Sequence, residues 1–374
     1  MMAAARPTVL IFRSRLLEWS ETFIAAQANA LERYRPVYAG YRIVPEGAAY
    51  MGANDVVVME ERAISRVVSE GLLKSFGHAP VRWKRALRRT EPVLMHAHFG
   101  FSARVPVRLA DDLGIPLVIT YHGADITIER NARADRIDRA RAFNGAGRII
   151  AVSHFIAERL IAAGAPADKV VVHYIGVDTD RFRPPEPSQR EDHSVLFVGR
   201  LVTKKGLIHL LDAMRLVQAE LPHATLVIAG DGPLRPRLVE AARGLNVRFL
   251  GVQTPAQVAE LMQRSALHCA PFVVAASGNA EGLGMTTVEA QASGMPVVAS
   301  ASGGSAEAIE DGRTGFIVPA EPAALADRLL TLLRDRELRR AMGVAARAHV
   351  VAKFDLKTQS RMLEQIYDDA RRQT

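Results

Sequence analysis

Residues 181–193, RFRPPEPSQREDH, hold three prolines and several charges with no apolar periodicity, and the same rhythm runs on both sides of them. Before this stretch, TVLIF, PVLMHAH, PLVITYH, RIIAVS and VVVHY read as short strands, with helical periodicity near residues 22–34, 101–113 and 154–163. After it, SVLFVGR, ATLVIAG, VRFLG, LHCAP, PVVAS and GFIV repeat the pattern, again with helical stretches between them. Short β-branched runs alternating with longer amphipathic segments need the helical crossovers of parallel sheets. The chain is therefore expected to be α/β, with two doubly wound, Rossmann-like domains facing a central cleft. A length of 374 residues agrees, because one hydrophobic core rarely serves so long a chain. The proline-rich stretch divides the domains at 1–185 and 186–354. Residues 355–374 read as a closing helix that packs back on the first domain, since Leu356, Met362, Leu363 and Ile366 fall mostly on one face.

Apolar residues make up 49% of the chain and charged residues 24%, which is the balance of a soluble globular protein and excludes a disordered one. No apolar run approaches the roughly 18 residues that cross a bilayer. The N-terminus MMAAARPTVLIFRSR lacks the apolar core and cleavage site of a secretory signal, and a single cysteine, Cys269, excludes an internal disulfide. These features point to the cytoplasm. The net charge of +8 is uneven: residues 1–187 carry 26 basic against 20 acidic side chains, leaving 22 against 20 for the rest. Residues 62–89 hold eight basic side chains and one acidic one, Glu70. There Trp83, Ala86 and Leu87 alternate with Arg82, Lys84, Arg85, Arg88 and Arg89, as in a basic interfacial helix, so an anionic membrane surface is an expected partner. The competing reading packs the tryptophan and leucine into the core and leaves the cations solvated.

Open parallel sheets bind ligands beyond the carboxyl ends of their strands. LFVGRLVTKKGL sets Gly199, Arg200, Lys204, Lys205 and Gly206 between a strand and a helix, where fixed cations favour a phosphate. IAGDGPL, residues 228–234, is a second glycine-containing loop after a strand. Alone, the first reads better as a surface strand-to-helix loop with solvated lysines, and the second equally well as a tight turn. NAEGLGMTTVEA, residues 279–290, puts Glu281 before a helix and Glu289 more than one turn inside it, with Gly282 and Gly284 freeing backbone N–H groups to turn toward an anion. The two acids then face different parts of one ligand, and vicinal hydroxyls of a sugar or a ribose suit a carboxylate acceptor. The plainer reading is a capping acid followed by an exposed helical glutamate.

Taken in order, Arg200, Lys205, AGDGP, the two glutamates and the run EAQASGMPVVASASGGSAEAIEDGRTGFIV closely resemble the second domain of the family 4 retaining glycosyltransferases of the GT-B fold. SETFI, HAHFG, YHGADI, VSHFIAERL and VVVHYIGVDTDRFRP are similar to the members that build bacterial exopolysaccharides and related surface glycans, so the resemblance spans nearly the whole chain. It implies a hexosyltransferase whose first domain takes a glycan or polyprenyl-linked acceptor and whose second takes a UDP- or GDP-linked sugar. Residue by residue, it implies that Arg200 and Lys205 hold the donor diphosphate and that Glu289 holds the ribose hydroxyls. Glu281 would contact the transferred sugar, helped by the backbone of Gly282, Leu283, Gly284 and Met285. His122 matches the family histidine near the sugar ring, while Gly199, Gly251 and Val252 fall on the donor side. Ser20, Glu21 and Thr22 replace the glycine-rich first loop of many members and, with Asp125, would meet the acceptor or a phosphate. The implied location is cytoplasmic, peripheral on the inner face of the plasma membrane.

Breaking a glycosyl–phosphate bond develops negative charge on the diphosphate and positive charge on the sugar, so cations at one and a carboxylate near the other both stabilise the transition state. Neither a cofactor nor a metal is expected. DTD, residues 178–180, imitates a metal-binding triplet but lies far in sequence from the phosphate loops and reads as a turn. HAH, residues 96–98, has no evident third ligand and reads as a cleft-lining pair. The rival readings are a nucleotide-sugar epimerase, a phosphorylase-like enzyme on the same scaffold, or a non-catalytic module that binds sugar or nucleic acid. Against the last, the cations and both glutamates are all present, and nucleic acid is not expected as a partner.

Overall fold

The computed structural model describes residues 6–18, 21–59, 79–101, 103–128, 132–185 and 190–372. It separates into two compact units, Met1–Gly176 with Leu356–Thr374, and Val177–Asp355. The chain thus passes between units at Gly176/Val177 and not at 185/186. Residues 177–185 join the second unit because their polar groups are satisfied there: the Val177 N–H donates to the Phe354 carbonyl at 2.8 Å and the Arg347 guanidinium bridges the carbonyls of Phe182 and Ala292. Arg190 reinforces the seam with bonds to the carbonyls of Met262, Ser265, Ser293 and Gly294.

The first unit holds a seven-stranded sheet formed by β1 (Thr8–Phe12), β2 (Arg35–Gly40), β3 (Asp55–Val58), β4 (Pro92–His98), β5 (Leu117–Tyr121), β6 (Arg148–Ala151) and β7 (Val170–Val172). Their order is β3-β2-β1-β4-β5-β6-β7, every pairing parallel. β1 and β5 are buried along their full length, as strands covered on both faces must be. The helices used below are α1 (Thr22–Asn29), α2 (Val81–Arg88), α3 (Leu207–Glu220), α4 (Met285–Ala292) and α5 (Leu356–Arg372). α5 closes the first unit by placing Leu363, Ile366, Tyr367 and Ala370 in a core with Val9, Tyr38 and Leu94. Met362, expected on that face, is exposed. Glu364 fixes the helix instead, accepting from the backbone N–H of Arg33 at 2.6 Å and pairing with its guanidinium.

Trp83 and Leu87 of α2 are buried, and the indole N–H donates to the Val57 carbonyl at 3.2 Å. The expected interfacial helix is corrected accordingly: its apolar side is part of the domain core. Arg82, Arg85, Arg88 and Arg89 remain exposed, while Lys84 pairs with Asp112 at 2.9 Å. Residues 62–78 of the basic stretch lie outside the described residues, and no helix among the described residues is long and apolar enough to cross a membrane.

The second unit repeats the plan with β8 (Ser194–Val198), β9 (Thr225–Ala229), β10 (Val247–Gly251), β11 (Leu267–Ala270), β12 (Val297–Ser300) and β13 (Gly315–Val318), in the order β10-β9-β8-β11-β12-β13. β8 and β11 are wholly buried, whereas the edge strand β10 alternates, with Arg248 and Leu250 outward. In both sheets the winding direction reverses at the first strand. The crevice this opens lies between β1 and β4 in one unit and between β8 and β11 in the other.

Candidate functional site

The chain leaving β8 and the chain leaving β11 approach very closely. Gly206 sits at φ +64, and a Cβ there would lie 1.7 Å from the Pro271 carbonyl oxygen, so no side chain fits. That contact lays the turn Thr203–Lys205 against the loop after β11, where the Val273 N–H donates to the Lys204 carbonyl at 2.9 Å. Both lysines then reach one carboxylate. Lys205 Nζ lies 2.9 Å and Lys204 Nζ 3.3 Å from Glu281 Oε2, and Lys205 also stands 4.3 Å above the centre of the Phe272 ring.

The backbone of Glu281 is fixed as tightly as its side chain. Its carbonyl accepts from the Gly304 N–H at 2.9 Å, and a Cβ at Gly303, φ +63, would stand 2.2 Å from that oxygen. Gly284, at φ +76, then starts α4, whose first turn has neither a capping side chain nor an acidic residue. An uncapped helix start presents backbone N–H groups and a partial positive charge to whatever lies before it. Burial would raise the Glu281 carboxyl, but Lys205 and Lys204 outweigh it and hold it down at about 2. Burial lowers the Lys205 ammonium, with Glu281 opposing the shift. Glu289, half-buried on α4, goes the other way: burial pushes it up to about 8 against the pull of Arg181 and Lys205. Lys204 and Lys205 thus share one carboxylate, which they hold in its ionised form.

Arg200 follows Gly199 and is exposed, with no carboxylate partner among the described residues. Gly199 packs near the Lys205 stem, while Gly282 and Leu283 are buried beneath the start of α4. Gly251 and Val252 end the edge strand: the Gly251 carbonyl accepts from the Gly230 N–H at 2.7 Å, and Val252 is exposed. On the segments carrying Glu281, the buried atoms Asn279 Oδ1, Thr286 Oγ1 and Ser302 Oγ have no hydrogen-bond partner among the described residues.

The other expected residues belong to the first unit. His122 follows β5 directly, with its ring against Phe99 and Phe23, and its Nε2 lies 3.1 Å from His98 Nδ1. Burial lowers the basicity of both imidazoles, with each other's neighbours and Arg13 adding to it, so both are neutral near pH 7. Asp125 is not a free acid: its carboxylate is buried and accepts from the backbone N–H groups of Gly100, His122 and Gly123 at 2.8–3.0 Å. It shapes the turn that carries His122. Glu21 is likewise engaged, in a two-pronged pair with Arg13 at 2.7 and 3.1 Å. Thr22 opens α1, and Ser20 lies outside the described residues.

Residues 41–181 match Glycosyltransferase Family 4, and residues 178–349 match Glycosyl transferases group 1. The GDP-mannose-dependent alpha-(1-6)-phosphatidylinositol monomannoside mannosyltransferase of Mycobacterium tuberculosis is 32% identical over an alignment of 390 positions, covering 96% of this chain and 95% of that protein. The chain is a family 4 glycosyltransferase. An amylovoran biosynthesis glycosyltransferase of Erwinia amylovora is 28% identical over 279 residues, covering 72% of this chain and 69% of its own length. The fold of the glycosyltransferase is GT-B. It is shared with sucrose-phosphate synthase of Thermosynechococcus elongatus at a TM-score of 0.78 and 19% identity, over 99% of this chain and 100% of that one. It is shared also with Anabaena Alr3699/HepE in complex with UDP and glucose, at 0.75 and 20%, over 97% and 100%.

Within the glycosyltransferase, DTD is a turn: Asp178 Oδ1 accepts from the N–H groups of Asp180 and Arg181. In HAH, strand alternation puts both rings on one face with centres 4.2 Å apart, and His96 is spent on Tyr367 Oη and Thr120 Oγ1. Three residues escaped sequence reasoning. Arg13, after β1, stacks on Phe99 at 4.3 Å while holding Glu21, and its only signal was its place at a strand end. Phe272 had no signal at all. Gly303 was visible as one of a glycine pair, but not its contact with Glu281.

Proposed function

We propose that this glycosyltransferase moves a hexose from a UDP- or GDP-linked donor to a glycan or polyprenyl-linked saccharide, with retained anomeric configuration and without a metal ion. The observation that carries the reading is Glu281 ion-paired to two lysines beside the uncapped start of α4. Lys205 and Arg200, with the N–H groups of Met285 and the helix start, meet the charge that develops on the leaving diphosphate. Glu281, its carboxyl held down by the two lysines, faces the positive charge that develops on the sugar. Glu289 accepts from the ribose hydroxyls, and Gly199, Gly251 and Val252 border the nucleoside. His122, neutral and with its Nδ1 buried and unpartnered among the described residues, hydrogen-bonds the sugar ring. The donor class is supported by a GDP-mannose-dependent relative and by the UDP complexes of HepE, and a role in surface-glycan synthesis by the amylovoran biosynthesis relative.

The test is thermal stabilisation by a panel of nucleoside diphosphates and their sugars, since a ligand that binds only the folded state raises its Tm. One nucleotide and its hexose should stabilise the protein, and that donor should be hydrolysed slowly without acceptor. No shift with any member of the panel would overturn the reading. Activity is expected to survive a chelator, because fixed cations already stand at the diphosphate. Complete loss in EDTA, regained with magnesium or manganese, would show the opposite.

The enzyme works in the cytoplasm on the inner face of the plasma membrane, docked by charge alone through Arg82, Arg85, Arg88 and Arg89. Each such residue contributes about 1 kcal/mol at an anionic surface. Sedimentation with anionic liposomes should be abolished by salt and by changing these four arginines to glutamate. Protein left in the supernatant at low salt would exclude docking.

A further inference from the structure

The resemblance gives a role to Lys205 and none to its neighbour, yet Lys204 touches the Glu281 segment in three ways. Its ammonium is 3.3 Å from Glu281 Oε2 and 3.4 Å from the Ala280 carbonyl, and its own carbonyl accepts from the Val273 N–H at 2.9 Å. These contacts fasten both ends of the loop 273–281. Between those ends Val274 and residues 276–278 are exposed, and Ala275 bonds with both Asn279 and Gly278. The lysine side chain is only 18% exposed and points to the carboxylate, unlike a solvated surface lysine.

We propose that Lys204 is a positioning residue of the transfer reaction, acting through Glu281 by aiming its carboxylate and keeping it ionised beside the sugar. The inference rests on the role given above to Glu281. Lys205 alone leaves one direction of the carboxylate undefined, because a single ammonium lets it swing about the shared oxygen. The second cation, joined through the Ala280 carbonyl to the same backbone, removes that freedom. It also opposes the effect of burial, which by itself favours the neutral acid.

Lys204→Met keeps the length and the apolar stem while removing the charge, and Lys204→Arg restores it. With the full-length protein, the Glu281 carboxyl resonance should be unchanged by pH down to pH 4 in the wild type. In Lys204→Met it should begin to titrate within that range, moved upward by about one pH unit or more, as expected for loss of an opposite charge at this distance. In the same variant kcat should fall about tenfold with the donor KM little changed, and Lys204→Arg should recover most of it. Unchanged titration and unchanged kcat would overturn the proposal. So would weaker nucleoside diphosphate binding at full kcat, which would make Lys204 a phosphate ligand. The carboxyl titration needs no turnover, so it judges Lys204 even if the wild type binds no nucleotide, the result that sinks the functional reading itself.

Discussion

Glu281→Gln is expected to lower kcat by roughly a hundredfold or more while the affinity for free nucleoside diphosphate stays the same or rises. The first half follows from charge: a neutral amide of the same shape cannot oppose positive charge on the sugar, and lost electrostatic stabilisation of this kind costs about that much. The second half follows from the pairs at 2.9 and 3.3 Å. In the free enzyme the carboxylate competes with a diphosphate for Lys205, and glutamine does not. Stability should move against function in an informative way. Two largely buried ammonium groups without a counter-charge destabilise a fold by up to about 3–5 kcal/mol, so the variant's Tm should drop. Added diphosphate, the natural substitute for the missing anion, should restore more of it than in the wild type. A raised donor KM at unchanged kcat would assign Glu281 to ground-state binding and remove it from the chemistry.

The two sheets were legible because fully buried parallel strands such as SVLFV and LVITY are continuous apolar runs, and the glycine and proline breaks between them are local signals. β2 was not, since RPVYAG opens with an arginine and a proline, and β3 has only three apolar residues. Their strand character comes from pairing beside β1, which periodicity does not register. The loop after β8 and the segment 279–290 could each be picked out by charge and glycine content. That Lys204 would touch Glu281 could not, because the contact exists only through the adjacency of β8 and β11 and the close approach at Gly206. The same reasoning accounts for α2. Its sequence supports an interfacial face and a core face equally, and Val57, the acceptor for the Trp83 indole, lies on a strand the pattern did not reveal. The engagement of Asp125 and Glu21 was hidden for a related reason, since Gly100 and Arg13, which they hold, belong to other elements.

Glu289 gives the second large expected effect, and it depends on pH. In the free enzyme burial pushes its carboxyl up to about 8, well above the usual carboxylate range, which favours the protonated form at pH 7. A ribose donating two hydroxyl hydrogen bonds favours the ionised form, and binding must therefore expel the proton. Nucleoside diphosphate affinity should rise up to about tenfold per pH unit between pH 6.5 and 8 and level off above that. Calorimetry in buffers of different ionisation enthalpy should show close to one proton released per nucleotide at pH 7. Glu289→Gln should remove this dependence and weaken binding by about tenfold or more through the lost charge-assisted bonds. The stability effect has the opposite sign. A carboxyl whose folded-state value is raised weighs against folding increasingly as pH climbs from the unfolded value toward 8, because only the unfolded chain gains the charge freely. The glutamine variant should therefore be more stable than the wild type at pH 8, by on the order of 1–3 kcal/mol, and nearly as stable as it at pH 5. Wild-type affinity that is flat from pH 6.5 to 8, with no proton released, would mean that Glu289 is already ionised in the free enzyme or does not reach the ribose. In the first case the pH-dependent stability gain of Glu289→Gln disappears as well, and in the second it remains.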